Sequence, residues 1–217
     1  MSGLLRQQMV AALKDAGLIR TVAVEQAMLQ VPRHLFVPDV DLPTAYRDDA
    51  VLVKCGKDGS PISSASQPTI VATMLEQLAV ALGHRVLEVG TGTGYNAALL
   101  ASLVGADGHV TTVELEPDLA EAARHRLDQI GLPGVEVAAG DGRHGHPAGA
   151  PYDRVIITAG ARQIAAAWTD QLADGGRLVV PLVDEDGVGT IVVFQKTESE
   201  MERLGETPCG FLPLREP

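Results

Sequence analysis

Aromatic side chains are scarce in this 217-residue sequence: three Phe, three Tyr and one Trp. A core must therefore be built from Val, Leu, Ile and Ala, which the 46% apolar share permits. Cysteine occurs twice, at Cys55 and Cys209. That is too few for a disulfide framework and suits free thiols in a reducing compartment. Basic residues are outnumbered, 17 Lys and Arg against 28 Asp and Glu, for a net charge of −11. Such a field repels polyanions, and no Lys/Arg run offsets it, so nucleic-acid binding is disfavoured. No apolar run approaches the roughly 20 residues that cross a bilayer. Residues 1–17 carry Lys14 and Asp15 and lack the apolar stretch of a secretion signal. A cytoplasmic protein with no membrane partner is expected.

The length suits one domain with a modest extension. The expected division is a helical and lid segment over residues 1–82, packed on a core over residues 83–217. Leu5, Met9, Leu13 and Ala16 recur at helical spacing, and Gly17 is a natural stop. A second helix is predicted over Val22–Gln30, ending before Pro32. Residues 31–64 are rich in Pro, Asp, Gly and Ser and read as loop. A third helix starts near Pro68, with Ile70, Met74 and Leu78 on one stripe.

Beyond residue 84 the rhythm changes. Short β-branched runs are predicted as strands at 85–89, 109–114, 135–139, 154–158 and 177–182, with helices at 94–104, 117–130 and 163–173. That alternation implies right-handed crossovers and a mostly parallel sheet. A last run, 190–195, follows the Asp186-Gly187 turn signal and reads as an antiparallel strand.

The sharpest local signal is Glu88-Val89-Gly90-Thr91-Gly92-Thr93-Gly94-Tyr95, where a strand hands over to a helix. In an open α/β sheet that crevice is the ligand site. A dinucleotide fingerprint needs glycine where Tyr95 stands, and a phosphate-binding loop needs a lysine that is absent. Glu88 would repel a pyrophosphate but could accept from an ammonium or a well-placed amide. Glu114 ends the second strand, 24 residues after Gly90, where an acid can hold both ribose hydroxyls. Asp141-Gly142 follows the third strand, and an Asp there can accept from an adenine amino group. A tight turn alone would explain the glycines, and Glu114 in register argues for a ligand. His144 and His146 have no Cys or acid at ligand spacing, so no metal site is predicted. Trp168 and Tyr95 read as packing residues, with a substrate-side contact open to Trp168.

In order and spacing these motifs resemble the class I S-adenosylmethionine-dependent methyltransferases, over about residues 83–195. The resemblance implies a doubly wound, mostly parallel, seven-stranded Rossmann-like α/β sheet with an N-terminal helical extension. It implies S-adenosylmethionine as cofactor, its methionine part cradled by Glu88, Gly90, Gly92 and Gly94. Glu114 would take the ribose, Asp141 and Gly142 the adenine, with Thr91 and Leu115 beside them.

The N-terminal third narrows the acceptor. Val31-Pro32-Arg33-His34-Leu35-Phe36-Val37-Pro38, Ala45-Tyr46-Arg47-Asp48 and Ser66-Gln67-Pro68 precede the glycine loop, and Gly210-Phe211-Leu212-Pro213-Leu214 closes the chain. Together these look like the protein-L-isoaspartate O-methyltransferase family, from about residue 5 to residue 215. The resemblance implies a protein or peptide substrate and a repair reaction through a methyl ester and a succinimide. It places Ser66 beside the transferring methyl as the catalytic serine. Read from its neighbours alone, Ser66 is a helix cap two residues before Pro68. His34 reads as a hydrogen-bonded loop residue.

A carboxylate is ionised at neutral pH and needs no general base. Residues 54–65, with Gly56, Gly59, Ser60, Ser63 and Ser64 and with Ser66 next to them, are expected to form a mobile lid. This segment is more Ser-rich than usual in the family. It is closer to relatives that esterify Asp side chains in ribosomally made precursor peptides and carry a further C-terminal domain. The chain ends at Pro217 and leaves no room for one. Isoaspartate is the expected acceptor, with a precursor-peptide aspartate, a small metabolite, or a non-catalytic cofactor-binding role as alternatives. A monomer is expected.

Overall fold

Short β-branched strands separated by helices can cover both faces only of a parallel sheet. The computed structural model of the chain, which describes residues 1–132, 134–198 and 200–216, has that architecture. Among the described residues one sheet holds seven strands: β3 (Arg85–Val89), β4 (His109–Glu114), β5 (Val135–Ala139), β6 (Tyr152–Ile157), β7 (Leu172–Val183), β8 (Val188–Lys196) and β9 (Met201–Gly210). Their order is β5-β4-β3-β6-β7-β8-β9. The first five are parallel to one another, and β8 and β9 are antiparallel. A separate hairpin pairs β1 (Val51–Cys55) with β2 (Pro61–Ala65).

The helices are α1 (Ser2–Asp15), α2 (Val22–Gln30), α3 (Leu42–Ala45), α4 (Pro68–Leu78), α5 (Tyr95–Val104), α6 (Pro117–Gln129) and α7 (Ala166–Asp170). Local chemistry sets their ends. The Thr21 side chain caps α2 by accepting from the Val24 amide. Pro68 and Pro117 open α4 and α6 where no amide is needed. Gly131 follows α6 at φ +78°, a conformation open to glycine. Glu76 on α4 accepts from the Arg20 and Thr21 amides and the Thr21 hydroxyl, which fastens α1 and α2 to the central layer.

Two apolar clusters cover the sheet. One runs from Met9 and Val10 through Met28, Phe36, Leu75 and Leu99 to Val86 and Ile156. The other holds Leu87, Val89, Val155, Trp168 and Leu178 on the opposite face. Alternation along β3 sends Val86 to one cluster and Leu87 to the other. The first cluster takes residues from α1, α2, α4 and the sheet alike. No described helix is long and apolar enough to cross a membrane.

Three readings of the sequence need correction. Residues 31–64 are not simply loop: they hold a 3-10 turn at Arg33–Leu35, the helix α3 and most of the β1/β2 hairpin. Those strands are mostly half-exposed, so burial imposes no readable period. The helix expected at 163–173 shrinks to α7, because Leu172 already pairs with Tyr152 in the sheet. β9 carries Gly205 and Pro208 and lies mostly exposed on an edge, which hides it from a pattern search.

Candidate active site

The strand order reverses between β3 and β6, and ligands of doubly wound sheets bind at such a reversal. A cavity of about 590 Å³ opens there. That is a size suited to a small-molecule ligand. Of the residues singled out from the sequence, Ser66, Gly90, Thr91, Gly92, Glu114, Leu115 and Gly142 line it.

The glycine loop is built for close approach. Gly90 has φ +100°, and a Cβ there would fall 2.5 Å from Thr158 Oγ1. The Thr158 hydroxyl lies within hydrogen-bonding distance of the Val89 and Gly90 carbonyls, so the end of β6 clamps the loop. Gly142 has no room either: a Cβ would meet Val89 Cγ1 at 2.3 Å. Its carbonyl accepts from the fully buried Trp168 indole at 2.8 Å. Trp168 therefore supports the site from behind and does not line it.

Glu114 is buried at the end of β4 and pairs with no cation among the described residues. Its oxygens accept from the Gly92 amide at 2.7 Å and the Glu116 amide at 3.1 Å. Glu88 and Asp141 sit differently from the expectation. Glu88 is fully buried and stays outside the cavity lining. The well-placed amide is Asn96, whose Nδ2 donates to Glu88 Oε1 at 2.8 Å. The Thr112 hydroxyl donates to Oε2 at 2.6 Å and sits 2.7 Å from the Thr91 hydroxyl. Burial pushes the Glu88 carboxyl up to about 7, against the pull of these two donors. Glu88 thus braces Asn96 and Thr91, which do face the cavity. Asp141 turns to Arg143, which contacts both carboxylate oxygens and holds the Asp141 carboxyl below its ordinary value.

On the acceptor side, Ser66 joins β2 to α4 and faces the cavity, half-buried. It is not the helix cap. Asp48 takes the exposed Thr69 amide at 2.8 Å and the Thr69 hydroxyl at 2.6 Å. Among the described residues the Ser66 hydroxyl has no hydrogen-bond partner, and it is free for a ligand. His34 lies outside this cavity, its Nδ1 2.8 Å from the Tyr46 hydroxyl.

Sequence reasoning missed several residues. Thr158 and Asn96 have no local pattern to mark them, because their roles depend on strands far away in the chain. Lys54 on β1 reaches Glu116 and Asp118 at 2.6 Å each, and Arg215 reaches Glu116 at 2.5 Å. The hairpin and the C-terminal segment are thereby tied to the mouth of the cavity. Phe211, Leu212 and Leu214 line the same mouth.

A loop with glycine at Gly90 and Gly92 in the cavity wall, and a buried carboxylate at the next strand end, fits a nucleoside-bearing cofactor with no phosphates. Comparison with known proteins agrees with this geometry. The sequence model of the protein-L-isoaspartate(D-aspartate) O-methyltransferases matches residues 5–216. A protein-L-isoaspartate O-methyltransferase of Ignicoccus hospitalis is 40% identical over 211 residues, 97% of each chain. One from Methanopyrus kandleri is 41% identical over 210 residues, 96% of this chain and 90% of its own. A solved protein-L-isoaspartate O-methyltransferase superposes with a TM-score of 0.86 at 30% identity, over 97% of this chain and 66% of that one. The chain belongs to the protein-L-isoaspartate(D-aspartate) O-methyltransferase family, enzymes that use S-adenosylmethionine.

Proposed function

We propose that the chain methylates the α-carboxylate of isoaspartyl residues in proteins and peptides, giving an ester that closes to a succinimide. The observation that carries this is the contact between cofactor loop and acceptor segment. A Cβ on Gly92 would lie 3.5 Å from Ser63 Oγ and 3.9 Å from the Ser64 carbonyl. Strand β2, which leads into Ser66, therefore crosses directly over the glycine loop.

When bound, S-adenosylmethionine supplies an electrophilic methyl on a sulfonium. Gly90 and Gly92 would bring backbone close to the methionine part, with Thr91 and Asn96 held in place by Glu88; Gly94 lies outside the cavity lining and packs against Ala123 of α6, so it serves the turn rather than the ligand. Glu114 would exchange a backbone partner for the ribose hydroxyls, with Leu115 beside it. Gly142 would flank the adenine, and Asp141 keeps that turn closed through Arg143. The Ser66 hydroxyl would donate to one carboxylate oxygen of the acceptor, and the other oxygen would bond to the methyl carbon as the carbon–sulfur bond breaks, its electron pair leaving on sulfur as a neutral thioether. No base is needed, because the acceptor is already an anion. Charge cancels along the path, so positioning and exclusion of water speed it. The β1/β2 hairpin and the segment 210–215 provide that cover, and residues 54–65 act as the lid. Residues 1–82 form the acceptor-side wall on the core of residues 83–217.

The same reading takes the chain as a cytoplasmic monomer that acts on polypeptides without nucleic acid. The test is incubation with methyl-labelled cofactor and paired peptides differing only in Asp or isoAsp. Base-labile label on the isoAsp peptide is expected. Label on the Asp peptide alone would point to a side-chain acceptor, and label on neither would overturn the reading.

A further inference from the structure

Arg33 has none of its surface exposed, yet it makes no ion pair among the described residues. Its Nε donates to the Ala45 carbonyl at 2.9 Å, and one terminal nitrogen reaches the Ala65 carbonyl at 3.5 Å. The other terminal nitrogen, Nη1, is buried with no partner among the described residues. The guanidinium carbon lies 5.1 Å over the Tyr95 ring, whose buried hydroxyl is also unpartnered. Asp48 acts on Arg33 from a distance, but its oxygens are occupied by Thr69 and Gln67.

A guanidinium remains charged inside a protein, and an uncompensated one is costly to bury. Burial draws its pKa below the ordinary guanidinium value. Folding gains only two carbonyl contacts and a ring face for this cost. The charge sits directly behind the acceptor site. Ala65 is joined to Ser66 by the peptide bond whose oxygen Arg33 holds, and Ala65, Ser66 and Tyr95 all line the cavity.

We propose that Arg33 is a positioning residue for the acceptor: an unpaired buried cation that attracts the substrate carboxylate to Ser66 and favours release of the neutral ester. This rests on the carboxylate-acceptor reading above. The attraction is largest before transfer, because the carboxylate loses its charge as the ester forms. Arg33 should therefore act on substrate binding more than on the chemical step. It should also separate substrate from product, which differ by one charge in a low-dielectric setting.

The experiment compares wild type, R33Q and R33K. Each is assayed for KM and kcat with an isoAsp peptide, for cofactor affinity by calorimetry, and for competition by the same peptide with the acceptor carboxylate converted to a primary amide. For R33Q the expectation is a KM roughly tenfold higher with kcat within about twofold, and unchanged cofactor affinity. The preference of wild type for the acid over the amide should shrink by the same factor. R33K, which keeps the charge, should retain most of that preference. If R33Q keeps the wild-type KM and acid preference, Arg33 is structural and the proposal is overturned. The same holds if both variants lose kcat and cofactor affinity together. Should R33Q not fold, the R33K acid preference decides: retained, it supports the role, and lost, it overturns it. A wild-type enzyme inactive on the isoAsp peptide would instead sink the underlying reading of function.

Discussion

The backbone amide of Gly92 donates to Glu114 Oε2 across 2.7 Å, joining the glycine loop to the end of the neighbouring strand. One carboxylate thereby shapes the loop before cofactor arrives and offers acceptors to it afterwards. Glu114→Ala removes both functions. Cofactor affinity should fall by about 1.5–3 kcal/mol, the range for hydrogen bonds to a charged group. Calorimetric titration measures this, and an unchanged dissociation constant would remove Glu114 from the cofactor site.

Ser66 and Asp48 separate the proposed acceptor contact from capping. Ser66→Ala should bind cofactor as wild type does and lose about tenfold or more in kcat, since one donor to the acceptor is gone. Its unfolding midpoint should stay put, because Asp48 holds the helix start. Asp48→Ala should instead cost about 1 kcal/mol of stability, as lost caps do. A Ser66→Ala enzyme turning over at the wild-type rate would leave the serine with no role in transfer.

That division also shows what was legible in the chain. The glycine loop, Glu114 and strands β3 and β4 could be read because burial on both faces favours short apolar and β-branched runs, and β5 because its buried Val135 and Val137 alternate with exposed Glu136. The cap on α4 could not, because Asp48 lies 21 residues from Thr69 and only the fold brings them together. The same applies to Thr158 behind Gly90 and to Arg33 behind Ala65. Glu88 was visible as an acid before the glycines, but not that Asn96 and Thr112 would occupy both its oxygens. Edge elements such as β9 and the β1/β2 hairpin have little buried surface, so their sequences carry little period. Ser66 stood out only through resemblance, because its isolated context is that of a cap.

Gly142 tests the tightness of the turn proposed to face the adenine. Its backbone is ordinary, so any penalty for Gly142→Ala comes from the Val89 contact, where a Cβ would approach to 2.3 Å. Overpacking of this kind costs about 1–3 kcal/mol. Stability and cofactor affinity should both fall, since relief requires moving either the end of β3 or the turn that lines the cavity. A variant with wild-type melting behaviour would mean the turn relaxes freely.

The hairpin over the cavity depends on Lys54, whose ammonium sits between Glu116 and Asp118. Lys54→Met should speed cofactor dissociation several-fold while leaving global stability within about 1 kcal/mol, as partly exposed ion pairs contribute little. Added salt should quicken release from wild type and have little effect on the variant. Stopped-flow displacement reads both rates, and identical salt dependence would separate the ion pair from lid motion.

Glu88 makes stability depend on pH in the direction opposite to most carboxylates. Its carboxyl titrates near 7 when folded, against 4.5 ordinarily, because burial disfavours the charged form. Between those values the folded protein keeps a proton that the unfolded chain has released. The stabilisation is thus complete below about pH 4.5, declines as pH rises to about 7, and is flat above. The total is roughly 3 kcal/mol, from about 1.4 kcal/mol per pH unit. Asp141, Glu116 and Asp118 have lowered values, so their contributions are lost only as pH falls through a more acid range. Glu88→Gln keeps the shape and an oxygen for Asn96, while the Thr112 hydroxyl can accept from the new amide and turn its proton to Thr91. The variant should match wild type near pH 5 and exceed it near pH 7.5. Urea midpoints at the two pH values decide the matter: parallel curves would show that Glu88 does not carry the titration.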